Sequence, residues 1–150
     1  MFSHIMLGAD DVATSKTFYD AALGALGARS AMIDPKGRAM YMHGGGVFML
    51  SKPIDGEPAS NANGSTIGFA AETPELADAF HKAGLENGGT AIEDAPGWRE
   101  GNGMRLYLAY LRDPSGNKSA RCAKANCQTW LNFLPVLNVV ASSSIKTRRF

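Results

Sequence analysis

An α+β fold that runs through the order βαβββ twice is predicted by three observations. A strand pattern followed by a helical one opens the chain and recurs about sixty residues later. Each helical pattern is followed by short strand candidates separated by glycine-rich turn chemistry. The aromatic strand pattern Leu106-Tyr107-Leu108-Ala109-Tyr110-Leu111 runs directly into Arg112-Asp113-Pro114-Ser115-Gly116-Asn117-Lys118. There Pro114 presets φ, Gly116 supplies a positive φ, and Asp113 and Asn117 can bond the local backbone, so a hairpin and a further strand are expected.

Residues 2–9 alternate weakly and read as the first strand. Asp10 or Asp11 then precedes a helix whose apolar spacing falls on Val12, Phe18, Tyr19, Ala22 and Leu23, with Gly24 or Gly27 to end it. Strand candidates follow at residues 28–33, 38–43 and 47–51, parted by Asp34-Pro35-Lys36-Gly37 and Gly44-Gly45-Gly46. The triple glycine is no phosphate loop, because neither a Lys-Ser/Thr pair nor a helix follows it. Residues 52–64, rich in Pro, Gly, Asn and Ser, read as a linker between module one, about 1–52, and module two, about 65–123. The second module begins with a strand over 66–71. Thr73-Pro74-Glu75 then opens a helix with an N-cap and Pro at its first position. Leu76, Ala79, Phe80, Ala83 and Leu85 form its apolar side, and Gly88-Gly89 stops it. Strands are expected at 90–93, at 104–111 and after Asn117, with a loop over 94–103.

A chain of 150 residues with 45% hydrophobic and 19% charged residues fits one domain with a sizeable core. A net charge of +1 offers no field that would favour nucleic acid or an anionic membrane. No run approaches the roughly 20 apolar residues of a transmembrane helix, and no cationic segment leads into a long apolar core. A cytoplasmic protein is therefore expected, with Cys122 and Cys127 as reduced thiols.

Four segments in this order carry a resemblance: Phe2-Ser3-His4-Ile5-Met6-Leu7, the helix with Phe18-Tyr19 closing on Leu23-Gly24, Ile67-Gly68-Phe69-Ala70, and the strand and turn from Tyr110 to Lys118. Over about residues 1–118 the chain resembles the vicinal oxygen chelate superfamily: glyoxalase I, bleomycin-resistance proteins, fosfomycin-modifying thiol transferases and extradiol dioxygenases. The resemblance implies two βαβββ modules curved into a cup-shaped, partly open mixed β-sheet barrel with the helices outside, commonly in a homodimer. It also implies a divalent metal that takes two neighbouring substrate oxygens as a Lewis acid, held by two His and a Glu.

Only His4 matches that ligand pattern; the second histidine falls on or near Thr66 and the carboxylate on or near Ala120. His43 and His81 are read as a turn residue and a surface residue. The expectation is a protein that binds a small organic molecule in the cup without the standard triad. The alternative is a lactoylglutathione-lyase-like or dioxygenase-like enzyme that uses His4 as a metal ligand with non-standard partners. His4, Phe48, Trp98, Arg105 and Tyr107 are the candidate ligand-binding residues. Trp98, Arg99 and Arg105 flank Glu100-Gly101-Asn102-Gly103, where an aromatic wall and guanidinium groups suit a carboxylate or phosphate. Phe48 or Met49 points into the cup, and at most one of Tyr107 and Tyr110 does, because side chains alternate along a strand.

Residues 119–150 form an atypical tail. Ser119-Ala120-Arg121-Cys122-Ala123-Lys124 is not the alternating apolar run expected of a last strand. Synonymous codons exist for it that, read one base earlier, give Ile or Val, then Cys-Ala-Leu-Cys-Lys, and with Ala125-Asn126 included the same frame continues to Gly and a stop. A shifted reading frame over 119–150 is therefore one account of this tail, and an added helical or swapped extension is the other.

Overall fold

The computed structural model describes residues 2–101 and 103–124. Module one contains β1 (Ile5–Gly8), α1 (Val12–Gly24), β2 (Met32–Ile33), β3 (Ala39–His43) and β4 (Gly46–Ser51). These strands form a sheet in the order β1-β4-β3-β2, with β1 parallel to β4 and the remaining pairs antiparallel. Module two contains β5 (Ile67–Ala71), α2 (Pro74–Glu86), β6 (Thr90–Ala91), β7 (Gly97–Gly101), β8 (Met104–Arg112) and β9 (Lys118–Lys124). Its sheet runs β5-β9-β8-β6, with β7 also paired to β8. The two mixed sheets, of four and five strands, are not closed, and the class is α+β as the doubled order predicts.

Both helices begin as their sequences require. The Asp11 side chain accepts from the amides of Ala13 and Thr14, and the Thr73 hydroxyl accepts from Leu76 with Pro74 behind it. The first helix ends at Gly24, and Gly27, at φ 84°, turns the chain so that the Ala28 amide reaches the Leu23 carbonyl. Three elements differ from the sequence expectation. The strands expected at 28–33 and 90–93 shorten to two residues each, and the expected loop over 94–103 contains β7. Only Trp98 is a strong strand former in Gly97–Gly101, so that strand owes its existence to register with Leu108 through Met104. The last strand also forms despite its composition. The backbone of β9 pairs with β5 on one side and β8 on the other, and small Ser119, Ala120 and Ala123 fit the buried positions.

The core draws on both modules. One face of the first sheet, Ile5, Leu7, Ala39, Tyr41, Phe48 and Leu50, packs on Phe18, Tyr19, Ala22 and Leu23 of α1, and Phe69, Phe80 and Leu111 join from the second module. Tyr19 is the joint: its ring lies 4.8 Å from Phe48 and 6.2 Å from Phe69, centroid to centroid. The helices pack against each other, and α2 lies on β8 and β9. Close approach here depends on missing side chains. A Cβ at Gly84 would stand 2.4 Å from Leu111 Cδ1 and 3.0 Å from Phe18 Cε2. Gly84→Ala should therefore cost about 1–2 kcal/mol, the overpacking outweighing alanine's better helix propensity. A lowered urea midpoint checks it; an unchanged one contradicts it.

Candidate functional site

The turn between β8 and β9 binds the modules together. Asp113 Oδ1 accepts from the amides of Ser115 and Asn117, each at 2.9 Å, and Oδ2 accepts from Asn117 Nδ2 at 2.9 Å and Tyr19 Oη at 3.1 Å. Asn117 Nδ2 also donates to the Gly8 carbonyl at 2.8 Å, and Ser115 Oγ accepts from the Asp10 amide at 3.1 Å. Gly116, at φ 83°, closes the turn through its amide to the Asp113 carbonyl. Burial pushes the Asp113 carboxyl up, against the pull of its Asn117, Tyr19 and Ser115 donors. This constellation sits inside the fold and has structural work to do.

Alternation along the strands assigns the faces that remain. In the first sheet Phe48 and Tyr41 face the helix, so Met49 and its register partners Met6 and Met40 face the other way. In the second sheet Ser119 faces Tyr19, so Ala120, although only 6% exposed, lies on the face opposite the helices with its register partners Gly68 and Tyr110. The outward faces, opposite the helices, are the candidate ligand surfaces.

The candidate residues divide accordingly. Phe48 is buried in the core between Tyr19 and Phe69, and the outward position passes to Met49. Tyr107 lies on the helix side, where its hydroxyl donates to Asp78 Oδ1 at 2.8 Å, and Tyr110 takes the outward position. Trp98 meets Tyr107 edge-on at 5.4 Å, and the Arg105 guanidinium lies 4.6 Å from the Trp98 ring centroid. These three residues are thus brought together on the helix-side face, where Tyr107 alone reaches α2. Arg99 is tied to its own loop through the Ala95 and Trp98 carbonyls. His4 is exposed, two residues ahead of Met6 and of the same parity, with Nδ1 3.0 Å from Ser3 Oγ. His43 is exposed at the end of β3, and His81 is half-buried on α2, where burial lowers its pKa despite Asp78.

Thr66, exposed just before β5, carries a hydroxyl, and Ala120 a methyl group. Among the described residues no group of three or more His, Cys, Asp or Glu is placed to hold a metal ion. A cavity of about 570 Å³ opens where the start of α1 meets the β2–β3 turn and the end of β4, lined by Asp11, Lys16, Ile33, Lys36, Ser51 and Lys52. None of the five candidate residues reaches it. No described helix is long and apolar enough to cross a membrane.

The Glyoxalase/Bleomycin resistance protein/Dioxygenase superfamily model matches residues 1–119. The chain belongs to this superfamily. A glyoxalase/bleomycin resistance protein from Albidiferax ferrireducens T118 is 50% identical, with a TM-score of 0.77, over 83% of this chain and 98% of that one. A family enzyme from Burkholderia phytofirmans PsJN (19% identity, TM-score 0.63, 81% and 97% covered) shares the fold. So does a glyoxalase-related enzyme from Fulvimarina pelagi (17%, 0.62, 83% and 88%). Comparison with curated proteins gives no match. Within the superfamily, the Asp113-Pro114-Ser115-Gly116 turn that flagged the resemblance acts here as the clasp between modules.

Proposed function

We propose that this superfamily member binds a small organic molecule on the outward faces of its sheets, as a cytoplasmic homodimer and without the His/His/Glu metal set. The observation that carries this reading is the rung Gly68–Ala120–Tyr110: the position expected to bear the carboxylate ligand offers a methyl group beside an aromatic ring. A lone exposed imidazole at His4 supplies too few donors for a catalytic metal. The dimer is supported by the two sheet edges, β1 and β5, which end their sheets and can be completed by a second copy.

His4 is then a ligand-bonding residue at the edge of the surface. Metal analysis of protein purified without a histidine tag should find only substoichiometric metal, and a small hydrophobic ligand should raise the melting temperature. Stoichiometric Ni, Zn, Mn or Fe that disappears on His4→Ala would instead make the protein a metal-dependent lyase-like or dioxygenase-like enzyme.

A further inference from the structure

Five of the chain's seven methionines lie on one face of one sheet. Met6, Met49, Met40 and Met32 are direct register partners across β1, β4, β3 and β2, so they form a single rung that spans the sheet. Met42 follows Met40 at the next position of the same parity, opposite Val47. Met6, Met32 and Met42 are 40%, 55% and 58% exposed, Met40 is half-buried, and Met49, in the middle of the rung, is 8% exposed and forms its floor. The helix-side face of the same strands uses Ile5, Leu7, Ala39, Tyr41, Phe48 and Leu50, and no methionine. One sheet therefore carries two apolar surfaces of different character, and general hydrophobicity does not account for the sorting.

What separates methionine from leucine or isoleucine is an unbranched chain with three rotatable bonds and a polarisable sulfur that favours aromatic rings. A packed core is served by stiff, branched side chains, whereas a surface that must fit itself to a ring is served by thioethers. Charge points the same way. The strand positions on this face are uncharged, and the nearest ions of the same parity, Asp34 and Arg38, neutralise each other at 2.5 Å. Such a face recognises a neutral ligand by contact and, apart from His4 at its edge, carries no group that would pair with an anion.

We infer that the methionine rung Met6–Met49–Met40–Met32, with Met42, is the recognition surface for a neutral, planar aromatic ligand. This deepens the proposed function and rests on it. Strand spacing of about 4.8 Å sets successive thioethers along a flat strip on which a fused ring can lie across neighbouring strands.

The test compares two probes with the same carbon skeleton and hydroxyl, 2-naphthol and its saturated analogue decahydro-2-naphthol, titrated calorimetrically into the full chain. The aromatic probe should bind more tightly than the saturated one. Met40→Leu and Met42→Leu, which conserve volume, should each weaken 2-naphthol about two- to tenfold while leaving decahydro-2-naphthol unchanged. Unchanged melting temperatures in the variants establish that the fold is intact, and Met104→Leu, outside the rung, should change neither probe. Equal or tighter binding of the saturated probe, or aromatic binding indifferent to both rung variants, overturns the inference and leaves a small-molecule site standing. Binding of neither probe, with a second copy covering the face in solution, overturns the inference and the small-molecule reading together.

Discussion

Asp113→Ala should destabilise the protein by about 3 kcal/mol, the largest effect of any single substitution considered. The carboxylate is the acceptor for two backbone amides, a side-chain amide and the buried Tyr19 hydroxyl. Hydrogen bonds to charged groups contribute about 1.5–3 kcal/mol each, and amides left without an acceptor in a buried turn add a desolvation cost. The loss also reaches beyond the turn, because Asn117 and Tyr19 connect it to β1 and α1 of the other module. The urea midpoint should fall with m unchanged; a loss under about 1 kcal/mol would show that the clasp contributes little.

Asp113→Asn isolates the charge. Burial raises the folded-state pKa of this carboxyl above 3.8, so the folded protein binds its proton more tightly than the unfolded chain does. That contribution is fully present below 3.8 and is lost as pH rises through the folded value. The stability gap between the parent protein and Asp113→Asn should therefore be widest at acid pH and narrow toward neutrality. A gap that widens with pH would contradict the assignment.

Arg121→Leu should act in the opposite direction and stabilise the protein by about 1–3 kcal/mol. Arg121 is 5% exposed in the middle of β9, between Phe69 and Ala109, and its Nε has no hydrogen-bond partner. Burial pushes its pKa down to about 10, because withdrawing the guanidinium from water disfavours its charged form. Substituting an apolar side chain for a buried guanidinium whose Nε is left unpaired removes that desolvation cost. A lower melting temperature for Arg121→Leu would mean that the guanidinium has a partner that outweighs its desolvation.

The misfit bears on the tail. We propose that residues 119–150 come from a shifted reading frame, supported by a buried arginine in a strand position and by a superfamily match that ends at residue 119; the codons that restore an apolar strand put a cysteine at position 120, so the carboxylate ligand is missing in either frame. The coding sequence tests this directly: if no single-base change yields an apolar strand and a nearby stop, the proposal is wrong. The alternative reading of the apolar stretch from Trp130 to Val140 as a packed extension lies outside the described residues.

Local chemistry was legible in the chain wherever it was self-contained. The caps at Asp11 and Thr73, the turn at Asp113 to Asn117 and the doubled βαβββ order depend on residues within a few positions of one another. The strand β7 was not legible, because its pairing with β8 comes from the partner strand and owes little to its own residues. Side-chain alternation predicted that only one of Tyr107 and Tyr110, and one of Phe48 and Met49, could face outward. Which one does was decided by Tyr107 meeting Asp78 and Phe48 meeting Tyr19, contacts between residues 29 positions apart in both cases. The methionines show the same division. Their number is written in the sequence, but Met6, Met32, Met40 and Met49 are scattered over more than forty residues and become one rung only through strand register. The sequence by itself determined the family, the elements and the turn, because these rest on short-range backbone preferences. Only the tertiary structure decided which side chains share a surface, because faces are assigned by long-range pairing and by what the core consumes first.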